Sequence, residues 1–240
     1  MIKSVRMFIW KLPIGKRLRD RYYVMRRRYN LMRSGKNETE LPVVADLGGV
    51  GKNQIKEMPG WGIVKVMTVN LYDEADLVDD AAKLGKIEDA SLEGIYSSHL
   101  IEHFWWWETD DVLKLWLRKL KPRGRIEIRC PDMEYIFRKW HENRNDKKIN
   151  FVWEDIVFHN VYGAAVEPWH RFYKEEGQRH RNLMTEDRLT EALEHAGFGR
   201  IKRVHYSKDY LDRWPYDLRY KEFHGKIIIQ DLVMEGFKEG

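Results

Sequence analysis

Short apolar runs separated by turns and amphipathic stretches follow one another from about residue 41 onward. Their length and their content of β-branched residues are typical of buried strands. The strands predicted in this way are residues 43–47, 63–69, 94–99 and 125–130, with a short one at 75–78 and two closing ones at 201–206 and 226–233.

The segments between these runs have the apolar spacing of helices. One predicted helix begins at Thr109 as its N-cap and stops at residues 122–124, and another begins over residues 133–140. A third has Thr185 as its cap and Gly197 as its stop. Strands that alternate with helices predict an α/β fold with a mostly parallel, doubly wound sheet, which binds its ligand beyond the C-terminal ends of the strands.

The first 40 residues have a different pattern, which predicts a basic amphipathic helical arm followed by a polar linker. An apolar stripe runs through the arm among many arginines. The stripe consists of Leu18, Tyr22, Met25, Tyr29 and Met32.

Charge separates this arm from the rest of the chain. Residues 1–34 contain eleven Lys or Arg and one acid, so they carry 11 − 1 = +10, and the remainder carries 5 − 10 = −5. Three interpretations of the arm stay open. It packs on its own domain or on a second copy in a homodimer, it lies on an anionic membrane surface, or it captures nucleic acid. The last is disfavoured because the basic excess is confined to a terminal segment.

Several classes of protein and site are excluded by composition. The longest stretch without Asp, Glu, Lys or Arg is the eleven residues 156–166, shorter than the roughly 20 apolar residues of a membrane-spanning helix. The N-terminus lacks a signal-peptide core, so we expect a cytoplasmic protein, with the inner membrane face as a further location if the arm binds lipid. The single cysteine, Cys130, excludes an intrachain disulfide. No metal is expected, because His159, His170 and His180 lack the spacing of a zinc site.

A glycine-rich turn directly after the first predicted strand is the first chemical feature. Gly48, Gly49 and Gly51 let backbone N–H groups approach a ligand without an intervening Cβ. In nucleoside-binding sheets an acid about 20 residues further on holds the ribose. Here Asn70 stands 22 residues after Gly48.

The order of motifs resembles class I S-adenosylmethionine-dependent methyltransferases, in particular a small group of glycan-modifying enzymes. The resemblance covers about residues 41–206, with Val50 and Arg123 where the family usually has glycine and with residues 51–58 short for the family's first helix. It implies a seven-stranded Rossmann-like methyltransferase domain over 41–240, preceded by the arm and linker over 1–40. The motifs are Asp46-Leu47-Gly48-Gly49, Pro59-Gly60-Trp61, Val69-Asn70-Leu71, residues 75–81, residues 97–103, residues 120–125 and Cys130-Pro131-Asp132.

The resemblance also implies S-adenosylmethionine as the cofactor and a role for each matching position. Asp46 and the backbone of Gly48, Gly49 and Gly51 would surround the methionine end, Asn70 would meet the ribose, Asp80 and the Ala81 N–H would hold the adenine, and Ser98 and His99 would flank the sulfonium.

A hydroxyl acceptor must lose its proton, and histidine is the natural base near neutral pH. His99 and His103 come at the end of the predicted strand over residues 94–99, at the end of the sheet where the reaction is expected. The resemblance places His180 at the same end of the sheet. Residues 150–181 fall where the family builds an acceptor lid. They contribute Trp153, His159, Tyr162, Trp169, His170, Phe172 and Tyr173.

Three consecutive tryptophans, Trp105, Trp106 and Trp107, cannot all face one side of a helix. At least one is expected at the substrate mouth, with core packing or a dimer contact as the alternatives. The leading hypothesis is an O-methyltransferase that acts on a saccharide or a glycolipid-linked glycan. The alternatives are an RNA or protein methyltransferase that uses the arm for capture, and a non-catalytic scaffold.

Overall fold

The computed structural model describes residues 13–163, 175–205, 220–223, 226–229 and 231–240. Ten strands are present in this part of the chain: β1 Val43–Leu47, β2 Gln54–Met58, β3 Gly62–Asn70, β4 Leu77–Val78, β5 Leu92–Ser98, β6 Leu120–Pro131, β7 Phe198–Arg203, β8 Tyr220–Phe223, β9 Lys226–Ile229 and β10 Asp231–Lys238. The α-helices are α1 Pro13–Ser34, α2 Thr109–Lys119, α3 Met133–Glu142, α4 Lys147–Tyr162 and α5 Glu186–Ala196, and short 3-10 helices span Glu38–Glu40, Ile101–His103 and Glu176–Gln178.

Eight strands form one sheet in the order β2-β3-β1-β5-β6-β10-β7, with β4 beside the end of β3. Strand β1 pairs in parallel with both β3 and β5, and β5 pairs in parallel with β6, whereas β10 runs antiparallel to β6 and β7. The chain winds outward from β1 in one direction and then from β5 in the other, so the order reverses between them. This is the predicted doubly wound, mostly parallel sheet, and its ligand crevice is expected outside β1 and β5.

The main sheet has eight strands instead of the predicted seven, because β2 is an additional strand. Residues 54–58 form an antiparallel hairpin with β3, where the family has its first helix. The turn at Pro59-Gly60 closes the hairpin through a hydrogen bond from the Trp61 N–H to the Met58 carbonyl, 3.0 Å long. The predicted strand over 226–233 also differs, because β9 pairs with β8 in a separate sheet and β10 enters the main one.

One face of the main sheet packs against α2 and α5, where Trp116 and Leu193 are fully buried against Ile126 and Ile128. Each such side chain stabilises the fold by about 1.5–3 kcal/mol. The capping predictions for α5 are confirmed. The Thr185 hydroxyl accepts the Arg188 N–H, and Gly197 ends the helix at φ 98°. Thr109 is the first residue of α2 rather than its cap, and its hydroxyl donates to the Trp105 carbonyl.

A smaller apolar cluster joins α3 to α4 and contains Met133, Ile136, Trp153 and Ile156. Trp153 is only 3% exposed, so this residue of the predicted acceptor lid is a core residue. Aromatic content alone does not separate a ligand-facing side of a helix from a buried one, and the acceptor lid over residues 150–181 stays a prediction. Residues 164–174, with the lid's Trp169, His170, Phe172 and Tyr173, lie outside the described residues.

The described part of the arm, residues 13–40, packs on its own domain. The buried Asn30 side chain donates to the Ile55 carbonyl of β2 at 2.9 Å, and Arg33 pairs with Glu57 at 2.7 Å. The other side of the helix is open, with Met25 71% and Met32 72% exposed. Within the described residues, no helix combines the length and the apolar character that crossing a membrane requires.

Candidate functional site

The predicted site residues lie at one edge of the main sheet, beyond the C-terminal ends of its parallel strands. The glycine turn follows β1, Asn70 ends β3, and Ser98 ends β5 with His99 directly after it. Because β1 lies between β3 and β5, these three strand ends are neighbours. The edge therefore has two halves, one at β1 and β3 and the other at β5.

The glycine turn is shaped by the carboxyl group of Asp46. A Cβ on Gly49 would lie 2.4 Å from the Asp46 Cγ, closer than any two such atoms approach. Gly49 also donates its N–H to the Asp46 carbonyl at 3.2 Å. Any larger residue here would have to push the Asp46 carboxyl aside, and the glycine leaves a backbone surface that a ligand can approach closely.

Side chains of β3 hold the glycine turn in place. The Asn70 amide donates to the Gly48 carbonyl at 2.7 Å and accepts the Leu71 N–H at 2.7 Å. The Thr68 hydroxyl donates to the Gly51 carbonyl at 2.7 Å. Both polar atoms of the Asn70 side chain are thus engaged within the protein.

Asp76 also helps to hold the glycine turn against β3, and it was not among the predicted site residues. Its carboxylate accepts the Thr68 N–H at 3.0 Å and the Asn53 N–H at 2.8 Å, which ties the segment after the glycine turn to β3. The available signal was its position directly before β4, in a stretch already matched to the family. Nothing in its spacing separated it from a solvated loop acid.

Asp80 and Ala81 lie in the turn that follows β4. One Asp80 oxygen accepts the Ala82 N–H at 2.9 Å, and the other lies 3.3 Å from the Lys83 ammonium. The Lys83 side chain is largely exposed, so solvent weakens this pair and the lysine is free to turn away. One carboxylate oxygen therefore shapes the turn, and the other is available to a donor such as an amino group.

His99 is an ion-paired residue at the end of β5. Its Nδ1 lies 3.1 Å from Glu102 Oε1 and its Nε2 lies 3.2 Å from Asp231 Oδ2. Burial opposes the charged ring, but the hydrogen bonds to Asp231 and Glu102 outweigh it and raise the pKa of His99 to about 9. At neutral pH the ring is an imidazolium that links β5 to β10. His99 is thus the least suited of the three predicted bases.

Glu102 also holds His180 near the end of β5. Its backbone carbonyl accepts the N–H groups of Arg181 and Asn182, at 2.8 and 3.2 Å, so the segment that follows His180 runs along the Ile101–His103 turn. The Nε2 of His180 lies 4.0 Å from Glu102 Oε1, and its ring meets that of His103 edge-on at 4.9 Å. The predicted proximity of His103 and His180 is present in the structure.

The ionisation of this cluster follows from burial and from His99. Burial raises the pKa of Glu102, but its hydrogen bond from His99 prevails and lowers it to about 2, so the carboxylate is charged. Burial lowers the pKa of His180 to about 4, so its imidazole is neutral near pH 7.

Both histidines are fixed through Nδ1. The Nδ1 of His103 lies 3.0 Å from the Arg179 carbonyl, and the Nδ1 of His180 lies 2.6 Å from the Asn160 carbonyl. A carbonyl only accepts, so in the neutral ring Nδ1 carries the hydrogen and Nε2 keeps its lone pair. Gly163 permits this approach, since a Cβ there would lie 2.9 Å from both the backbone nitrogen and the ring Cδ2 of His180.

The tryptophans lie just after this cluster and are exposed. Trp105 and Trp107 stack at 4.7 Å with an interplanar angle of 8°, and Trp106 is 60% exposed. The Arg181 guanidinium lies 5.3 Å from the centre of the Trp105 ring. The three tryptophans are thus outside the core, and the surface they form adjoins His180 through Arg181. The expectation that at least one of them lines the substrate mouth stays a prediction.

Searches against family models and against curated proteins find no match. Among solved structures, the chain is similar to a SAM-dependent methyltransferase from Archaeoglobus fulgidus, at 15% identity and TM-score 0.45 over 97% of this chain and 98% of that one. It is also similar to phosphoethanolamine N-methyltransferase 2 from Haemonchus contortus, at 14% identity and TM-score 0.46 over 89% of this chain. The chain spans 53% of that protein's length.

Proposed function

We propose that the protein is an S-adenosylmethionine-dependent methyltransferase whose cofactor lies in the crevice outside β1 and β5. The observation that carries this proposal is the glycine turn, where Gly49 lies against the Asp46 carboxyl at the reversal point of a doubly wound sheet. A Cβ on Gly49 would displace that carboxyl, so the glycine lets the backbone turn closely over Asp46, beside the crevice where such a sheet binds its ligand. When bound, the cofactor supplies a methyl group on a sulfonium, an electrophile that needs alignment and exclusion of water.

The strand ends supply groups suited to each part of this cofactor. The turn at Gly48, Gly49 and Gly51, with Asp46 beneath it, would hold the methionine end. One Asp80 carboxylate oxygen is paired with a solvent-exposed lysine, a pair that solvent weakens, so this oxygen suits the amino group of adenine, with the Ala81 N–H on the ring. Ser98 would lie at the sulfonium side.

The charge of His99 is compatible with a nearby sulfonium because two carboxylates balance it. Glu102 and Asp231 each lie within 3.2 Å of one of its ring nitrogens. His99 therefore acts as a positioning residue that fixes the end of β5. Removal of the acceptor proton falls to His103 and His180, whose Nε2 atoms keep their lone pairs.

The acceptor in this proposal is a hydroxyl group of a saccharide or of a glycolipid-linked glycan. The stacked, exposed tryptophans beside His180 offer the flat apolar surface on which a sugar ring packs, and Arg181 adds a polar group at its edge. The exposed Met25 and Met32 on a basic helix are compatible with an enzyme held at the inner membrane face, where such acceptors are made.

The experiment is transfer of labelled methyl groups from S-adenosylmethionine to a panel of nucleotide sugars, glycolipid-linked oligosaccharides, RNA and protein. Label is expected in a saccharide fraction. Asp80→Ala is expected to weaken cofactor binding at least tenfold, whereas His180→Ala lowers turnover at least tenfold with little effect on cofactor affinity. His195→Ala, an exposed histidine of α5, is the control. Equal loss of cofactor affinity in the first two variants would contradict these roles.

Two alternatives give different results in the same assays. Label in RNA, with binding that weakens steeply as salt increases, would favour electrostatic capture by the arm. A non-catalytic scaffold is favoured by one observation, the engagement of Asn70 within the glycine turn, and it predicts no binding of S-adenosylmethionine.

A further inference from the structure

We infer that Glu102, His103 and His180 form a binding site for a divalent transition-metal ion of the zinc type. One ligand atom from each residue lies within 4.8 Å of the others, and in the described part of the chain these are the three side chains grouped in this way. Their separation in sequence hides the group, because His180 reaches the other two only through the backbone contacts between Glu102 and residues 181–182.

Each histidine is already oriented as a metal ligand. Metal-bound histidines usually donate their second ring N–H to a carbonyl or a carboxylate, which fixes the tautomer and the ring plane. His103 and His180 both do so, to the carbonyls of Arg179 and Asn160. The Nε2 atom of each ring is left for coordination.

Glu102 supplies the third ligand and the strongest indication that something is bound. Its side chain is 1% exposed, and Oε2 has no hydrogen-bond partner among the described residues. A buried carboxylate oxygen without a partner is costly, and a cation would satisfy it. Oε1 accepts from His99, the kind of outer contact that ligating carboxylates make.

The ligand set favours zinc and similar ions over magnesium. Two imidazole nitrogens and one carboxylate oxygen, with a position left open, is a set found in catalytic zinc sites, whereas magnesium prefers oxygen ligands. The distance from His180 Nε2 to Glu102 Oε1 is 4.0 Å. Ligands of a tetrahedral zinc ion lie about 3.4 Å apart, so small side-chain rotations would close the site.

The location gives the ion a role that rests on the proposed function, although the site itself does not. The Ile101–His103 turn follows β5 at the edge of the sheet where the acceptor is proposed to bind. An oxygen in the open position would become more acidic, as metal-bound water does. The ion would then take over the activation that free histidines would otherwise provide.

The test uses the full chain, stripped with a chelator and titrated with Zn²⁺ alone by calorimetry and with Co²⁺ alone by visible absorption. We expect one ion per chain with micromolar or tighter affinity and the absorption of a nitrogen- and oxygen-ligated cobalt. His103→Ala and His180→Ala should each weaken binding at least tenfold. His195→Ala is the matched control, because its ring is exposed on α5.

Glu102 is buried and ion-paired, so its replacement could unfold the protein, and the two histidine variants carry the test instead. His103 is the safer of these, because its ring is partly exposed. Absence of saturable binding, or equal binding by the wild type and the His103 variant, would overturn the inference. Both titrations omit S-adenosylmethionine, so a failed metal site and a failed methyltransferase proposal give separate results.

Discussion

The two halves of the site edge satisfy their polar groups in different ways. At β1 and β3 the side chains of Thr68, Asn70 and Asp76 bond to one another or to the backbone of the glycine turn. At β5 the Oε2 of Glu102 lacks a hydrogen-bond partner among the described residues. His103 and His180 each hydrogen-bond a backbone carbonyl through Nδ1, which leaves Nε2 for another contact. The first half has groups that fix a shape, and the second has groups that still have bonding capacity. Shape suits cofactor binding, and unused capacity suits chemistry on an acceptor.

Gly49→Ala is expected to have the largest effect and to damage the first half. The new Cβ would meet the Asp46 carboxyl at 2.4 Å, so the carboxyl or the turn must move. We expect a loss of about 2–3 kcal/mol in the free energy of unfolding, measured by urea denaturation, and cofactor binding weakened at least tenfold.

Gly85→Ala is the control, since a Cβ there meets nothing within 4 Å. Adding Asp46→Ala to Gly49→Ala removes the clashing group and should recover part of the lost stability. Wild-type stability of Gly49→Ala alone would show that the Asp46 contact does not constrain the turn.

The second half is expected to make stability depend on pH through His99. Its pKa is about 9 when folded, against 6.5 unfolded, so its stabilising contribution is complete below about pH 6.5 and is lost as the pH rises toward 9. The loss is on the order of 3 kcal/mol at most. The measurement compares the free energies of unfolding of wild type and His99→Gln at pH 6.5 and 9.

The difference in the free energy of unfolding between wild type and His99→Gln should shrink from pH 6.5 to pH 9. The free energy of unfolding of His195→Gln should follow that of the wild type at every pH. A constant difference would mean that His99 is not held as an imidazolium. It would also remove the main contrast in charge between the two halves.

Asn70→Asp is expected to have the smallest effect and separates the two roles of this residue. Aspartate matches the acid that usually holds a ribose, but it cannot donate to the Gly48 carbonyl, 2.7 Å away in the wild type. We expect a loss of about 1 kcal/mol in the free energy of unfolding and weaker cofactor binding. Tighter cofactor binding than the wild type would show that Asn70 serves the ribose directly.

Local chemistry was enough to predict the elements around β1 and α5. The cap at Thr185 and the stop at Gly197 depend on hydrogen bonds and backbone angles of neighbouring residues, and both are confirmed. Strand β2 was missed, because a single buried residue, Ile55, gives no alternation to detect. The turn at Pro59-Gly60 was predicted directly before a predicted strand. Such a turn often joins two strands of a hairpin, so it was the signal available for β2.

The site at β5 depends on contacts that no local pattern contains. His103 was identified from its position after a predicted strand and His180 through the family resemblance. Glu102 was not identified, because the burial of one acid depends on a segment almost 80 residues away. Asp231 was missed for the same reason, since it reaches His99 from the last strand. The burial of Trp153 was not predictable either, because it depends on the packing of α4 against α3.

The central claim is that the crevice outside β1 and β5 binds an adenosyl sulfonium. Its most direct test is calorimetric titration of the full wild-type chain with S-adenosylmethionine, with Gly49→Ala beside it. One saturable site per chain, weakened at least tenfold by the substitution, is the predicted result. No heat of binding in the wild type at millimolar cofactor, or equal binding by both proteins, would contradict it.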